Sequence, residues 1–274
     1  MTSSYPNRRY LTDLSRGAAG ALIFGLPLMM THEMWSVGVT ISPVRLGVVT
    51  VASVPMLIVL SHFVGFEESS RPIDHMLDAC AAYGIGVAIA VLMLGLFGIL
   101  RAKSSLDDVV GKVGLQAVGG SIGALLAQSQ FGQHKDHEQQ RKRQASYAGA
   151  LFLMAVGALF LSLSIAPTQE VVIIASRLGP WLTLLLVAVT LVTMHAFVYA
   201  VEFSGAPESS PDTPWWSVFV RYGITGYALV LVVSASLLWI FGRTEGLGLF
   251  EILKTDVVLA MPSSVGAAAA RLIL

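Results

Sequence analysis

Long apolar stretches separated by short polar segments run along most of this chain. Each stretch is close to the roughly 20 residues that an α-helix needs to cross the hydrocarbon core of a bilayer. Membrane-spanning β-strands would instead alternate apolar and polar residues over about ten positions. The pattern predicts an all-α, polytopic transmembrane bundle of about eight spans, at residues 17–36, 45–66, 79–100, 113–130, 147–166, 178–201, 217–242 and 257–274.

The second half of the chain repeats short sequences of the first half in the same order. The segment 45–47 opens an apolar stretch that closes with His62 and Glu67, and 177–179 opens one that closes with His195 and Glu202. Further matches pair residues 19–22 with 148–151, 83–85 with 222–224, and 121–124 with 264–267. Matches in a constant order predict a duplication into two four-helix repeats. Because each repeat has an even number of spans, both are predicted to enter the membrane in the same direction, as parallel repeats.

The distribution of basic residues predicts the orientation. The predicted segments are a cytoplasmic tail (1–16), a first transmembrane repeat (17–130), a polar cytoplasmic linker (131–146) and a second repeat (147–274). Tail and linker carry clusters of basic residues: Arg8, Arg9, Arg16, Lys135, Arg141, Lys142 and Arg143. Since cytoplasmic loops are enriched in Lys and Arg, we expect both termini in the cytoplasm and the chain in the inner (plasma) membrane.

Composition agrees with a membrane protein and removes several classes of function. Hydrophobic residues make up 55% of the 274 positions and charged residues 12%, and the mean hydropathy is +0.72. Since 17 basic residues balance 17 acidic ones, bulk charge gives no reason to expect a nucleic-acid partner. The single cysteine, Cys80, excludes an internal disulfide. With no hydrolase or nucleotide-binding motif in the sequence, we expect a protein that is not an enzyme and needs no cofactor.

The first span contains the sequence's most suggestive carboxylate. His32 and Glu33 follow Pro27, which we expect to kink the helix and to free a backbone carbonyl about one turn earlier. A carboxylate within a span is a functional candidate because burying it without a role costs several kcal/mol by some estimates. The alternative is an interfacial Glu33 beside the tryptophan Trp35.

His62 and His195 form a second candidate, because the repeat matches them to one another. If the repeats are related by a two-fold axis, the two imidazoles face each other, where they would relay protons, ligate haem iron or share a metal. The alternative is that each makes only interfacial hydrogen bonds.

Spans four and eight are rich in small residues, including Ser121 and Ser264. Small residues allow helices to pack closely, and this explanation is favoured. The alternative is that Gly119-Gly120 and Pro262-Ser263 interrupt the helices and expose backbone carbonyls to a permeating ion.

Acidic residues lie in the segments next to the spans. Glu67 and Glu202 begin the loops after spans two and six, and Asp107, Asp108 and Glu251 lie at the opposite ends. Acidic entrances concentrate cations by their local field, although a solvated loop explains the same residues. These residues favour a cation over an anion.

Residues 20–35, with Phe24-Gly25-Leu26-Pro27-Leu28 and then Glu33-Met34-Trp35, and the Ser-x-Gly-Ala sequences 121–124 and 264–267 resemble those of a family of bacterial multi-pass integral membrane proteins. The resemblance implies a prokaryotic membrane location and no particular activity. Our leading hypothesis is a cation channel or transporter that assembles as a homo-oligomer in the bilayer. The alternatives are a haem- or metal-binding redox protein using His62 and His195, and a structural or regulatory membrane partner.

Overall fold

Helices dominate the computed structural model, which describes residues 6–64, 71–101, 103–131, 147–202 and 215–273. No β-strand occurs in these ranges. The helices are α1 (Pro6–Met29), α2 (His32–Thr40), α3 (Pro43–Val64), α4 (Pro72–Leu96), α5 (Leu106–Phe131), α6 (Tyr147–Ile165), α7 (Glu170–Arg177), α8 (Pro180–Glu202), α9 (Trp215–Val218), α10 (Thr225–Ile240) and α11 (Leu249–Ile273), with a π-helical turn, Phe219–Ile224, between α9 and α10.

Seven of these helices, counting the π-helical turn and α10 as one, are long and apolar enough to cross a bilayer, and a bent pair brings the number to as many as eight. The predicted all-α polytopic bundle is therefore confirmed. Four helices begin well before the predicted spans: α1 at Pro6, α4 at Pro72, α5 at Leu106 and α11 at Leu249. The first turn of each of these helices contains charged residues, so the start of the helix falls outside the apolar stretch.

The chain divides into two compact units, Met1–Gln139 and Gln140–Leu274. In the first unit, α5 packs against α1, α2, α3 and α4. In the second unit, α11 packs against α6, α7, α8 and α10. Each unit thus has its last helix as its centre, and both units contain a short helix, α2 or α7, after the first long one. The duplication itself stays a prediction.

The first predicted span is bent. Helix α1 continues through Pro27 to Met29, and α2 leaves at 83° to it. The bend therefore lies at residues 30–31 and not at the proline. Thr31, which precedes α2, has an extended backbone with φ −97° and ψ 130°, so the helical conformation is interrupted between α1 and α2.

Side chains satisfy the carbonyls that the bend exposes. Leu28 O accepts hydrogen bonds from Thr31 Oγ1 at 2.9 Å and from Gln116 Nε2 of α5 at 3.4 Å. Met29 O accepts one from Trp35 Nε1 at 2.7 Å. Because a bilayer offers no water to unpaired backbone groups, these bonds permit a break at this position.

The second unit has a similar turn after its first helix. Thr168 Oγ1 donates to Ile165 O at 2.8 Å, and the Arg243 side chain donates to Pro167 O. The short helix α7 then begins at Glu170.

The small residues of α5 and α11 serve close packing. Both helices are continuous, and α11 runs through Pro262, so the interrupted-helix alternative is not what the structure has. A Cβ built on Gly123 would lie 2.8 Å from Gly20 O of α1. One built on Gly266 would clash with Gly157 O of α6. Only residues without a side chain fit at these two crossings.

We predict that Gly86→Ala destabilises the protein and that Gly84→Ala does not. Both glycines lie in α4, but a Cβ at Gly86 would lie 2.6 Å from Ala117 O, while one at Gly84 meets nothing within 4 Å. Overpacking of this kind costs about 1–3 kcal/mol, whereas alanine favours a helix over glycine by about 1 kcal/mol. Thermal unfolding in detergent, followed by tryptophan fluorescence, measures the difference. Equal unfolding temperatures for the two variants would contradict the α4–α5 packing.

Candidate functional site

Buried polar side chains cluster along α11, the central helix of the second unit. Lys254, Thr255, Asp256, Ser263 and Ser264 are each at most 7% exposed. Charged groups inside membrane-spanning helices are costly and mark functional positions. This stretch of α11 is the candidate site.

Asp256 is the unpartnered acid of this stretch. Its Oδ1 is buried and accepts no hydrogen bond from any residue that the structure describes. Lys254, two residues earlier, does not neutralise it, because its Nζ lies 2.9 Å from Glu251 Oε1 and 3.4 Å from Leu178 O. A carboxylate offers only acceptor oxygens, so Asp256 has capacity for a proton or a cation.

Three serine hydroxyls meet farther along α11. Ser263 Oγ lies 2.5 Å from Ser162 Oγ of α6 and 3.4 Å from Ser234 Oγ of α10. Ser263 follows Asp256 by seven residues, so both lie on one face of α11, about 10 Å apart along its axis. We call Ser162, Ser234 and Ser263 the serine cluster.

Two more buried hydroxyls lack partners in the same unit. Ser264 Oγ and Tyr227 OH are buried without a hydrogen bond to any described residue. Tyr227 packs in the core cluster that contains Ala267 and Ala268 of α11. Buried polar groups therefore recur along α11, and Tyr227 of α10 adds a further one in the core of the same unit.

The central helix of the first unit differs from α11. Gln116 and Ser121 of α5 are fully buried, and Ser121 Oγ donates to Val118 O of its own helix at 2.8 Å. No carboxylate of α5 is among the buried residues that the structure describes, and Asp107 and Asp108 lie in its first turn. Gln116 Oε1 is the unpartnered buried atom here.

His32 and Glu33 lie beyond the bend, in the first turn of α2, and not in the helix that precedes it. His32 is exposed, with Nε2 3.3 Å from Ser36 Oγ, and Glu33 is half-buried. A scan for apolar stretches does not register the bend, so it places these residues in α1.

The structure gives His62 an unexpected neighbour. His62 Nδ1 lies 3.4 Å from His75 Nε2, and the ring centroids are 5.1 Å apart. His75 falls between the predicted spans 45–66 and 79–100, but Pro72 begins α4 and Asp74 lies in its first turn. Proline at the first helical position is a start signal that would have found this helix.

His195 lies in α8 of the second unit, with its ring 5.2 Å from that of Phe219 and edge-on to it. Among the described residues, no group of three or more His, Cys, Asp or Glu side chains is arranged to hold a metal ion.

The remaining predicted residues fall at the limits of the described ranges. Glu67 lies outside them, as do most of the linker 131–146 and the loop after α8. Glu202 is the last residue of α8, and its side chain is likewise not described.

The sequence matches the model of one protein family over most of its length. A family described as "Putative integral membrane protein (DUF2391)" matches residues 13–274. The chain belongs to this family. The family description fixes a membrane location and names no activity, in agreement with the resemblance noted from residues 20–35. No curated protein and no solved structure matches the chain.

We predict that Ser263→Ala lowers the unfolding temperature more than Ser236→Ala. Ser263 joins three helices, whereas Ser236 is exposed on α10 and bonds only to Val232 O of its own helix. Hydrogen bonds between membrane helices average about 0.6 kcal/mol, so losing two should cost about 1 kcal/mol. Thermal unfolding of both variants in one detergent provides the comparison, and an equal effect would show that the cluster does not hold the helices together.

Proposed function

We propose that this protein is a channel or transporter for protons or small monovalent cations, with Asp256 as the ion-binding carboxylate. One observation carries the proposal: a carboxylate in a membrane-spanning helix has a buried oxygen with no hydrogen-bond partner among the described residues. An ionised acid in that environment gains most by binding a proton or a cation.

The surroundings of Asp256 support a cation over an anion. Lys254 is the nearest cationic residue along α11, and its ammonium is already held by Glu251. The serine cluster two turns away supplies hydroxyl oxygens, which suit hard monovalent cations and also relay protons. Anion sites would instead present free cationic groups or backbone N–H donors.

The proposal also includes the environment of the protein. Lipid contacts the exposed apolar residues of α8, among them Trp181, Leu184 and Val192. The basic residues Arg8, Arg9 and Arg16 and those of the linker support an inner-membrane location with cytoplasmic termini. We further propose a non-enzymatic homo-oligomer.

Ion flux into liposomes tests the proposal. Purified protein is reconstituted into vesicles, proton, Na⁺ and K⁺ gradients are imposed in turn, and each flux is read by an entrapped dye selective for that ion. We expect Asp256→Asn, which keeps the shape and removes the charge, to reduce flux at least tenfold. Glu170→Gln, at an exposed acid in the first turn of α7, is the matched control and should retain wild-type flux.

Two results would overturn the proposal. One is wild-type protein that moves no cation under any gradient. The other is Asp256→Asn protein with unchanged flux, and a loss in Glu33→Gln instead would move the pathway to the first unit.

A further inference from the structure

We infer that His62 and His75 form a binding site for a divalent transition-metal ion, separate from the proposed cation pathway. The two imidazoles lie in the first unit, where α3 ends at Val64 and α4 begins at Pro72. Their nearest ring nitrogens, His62 Nδ1 and His75 Nε2, are 3.4 Å apart.

This separation suits two ligands of one metal ion. Direct N–H hydrogen bonds cluster near 2.9–3.0 Å, so 3.4 Å is long for a bond between the two rings. Two nitrogens that each lie about 2.0–2.1 Å from a tetrahedral zinc ion are separated by about 3.3–3.4 Å. The two nitrogens are therefore separated by the distance that a pair of imidazole ligands on one metal ion requires.

The helix ends that carry the two rings are tied together. Ser61, next to His62, donates its hydroxyl to His75 O at 3.0 Å. The His62 ring also lies edge-on to Phe63, with centroids 5.4 Å apart. These contacts position both imidazoles before a ligand arrives, which lowers the entropic cost of binding.

Exposure and charge also suit a metal ion. His62 is exposed and His75 half-buried, so an ion reaches the pair from outside the unit, and water completes its coordination. Asp74 and Asp78 lie one and three residues from His75 on α4, so two carboxylates lie close to it along the helix. Imidazole ligands select Zn²⁺, Ni²⁺ or Cu²⁺ over Mg²⁺ and Ca²⁺.

Zinc titration of the full-length protein tests the inference. After removal of any histidine tag, Zn²⁺ is titrated into protein in detergent at pH 7.5 by calorimetry. We expect one ion per chain, with affinity at least tenfold weaker in His62→Ala and in His75→Gln. His32→Ala, at an exposed histidine of α2, is the matched control and should bind as wild type.

Two further measurements make the test specific. Mg²⁺ should give no binding heat, and zinc affinity should fall as the solution is acidified because protonated imidazoles do not ligate metals. Asp256→Asn should bind zinc normally, so failure of the ion-flux proposal leaves this site unaffected. Wild-type protein that binds no zinc, or folded His62→Ala and His75→Gln variants with wild-type affinity, would overturn the inference.

Discussion

Direct backbone contact between the first and last helices of each unit is the constraint on which the rest of the structure depends. Gly20 meets Gly123 in the first unit, and Gly157 meets Gly266 in the second. Without a hydrophobic force between helices in lipid, close approach of this kind supplies the packing energy. The other helices then surround α5 and α11, which accounts for the burial of both.

The two helix crossings differ in the residues that meet about one turn beyond the glycine contact. Gly25 lies five residues after Gly20 and faces Gly120, with a Cβ built on Gly25 3.6 Å from the Cα of Gly120. Ser162 lies five residues after Gly157 and hydrogen-bonds to Ser263. Five residues after its glycine contact, α1 thus meets α5 through a second pair of glycines, whereas α6 meets α11 through hydroxyls. Among the described residues, each unit also holds one buried aspartate, Asp78 on α4 in the first and Asp256 on α11 in the second.

The length and apolar character of the helices were predictable from the sequence, because burial in lipid requires both. Of the candidate site, Ser263 and Ser264 were singled out from the sequence, but Asp256 was not, since it precedes the predicted span 257–274 and lies two turns inside α11. Apolar stretches end at the first charges, whereas the helix continues wherever neighbours cover those charges. His75 was missed for the same reason at the start of α4. One of the three hydrogen bonds that cap the bend at residues 30–31 comes from Gln116, which is distant in sequence and does not enter local patterns.

The hydrogen bonds that cap this bend come from residues close in sequence and from one distant residue, so they become available at different times during synthesis. Thr31 and Trp35 are made within a few residues of the carbonyls that they cap, so the turn has local partners as soon as it leaves the ribosome. Gln116 follows Leu28 by 88 residues and reaches it only after α3, α4 and much of α5 have been translated. During synthesis, the hydrogen bonds from Thr31 and Trp35 can therefore form first, and the one from Gln116 can form only once α5 has been made.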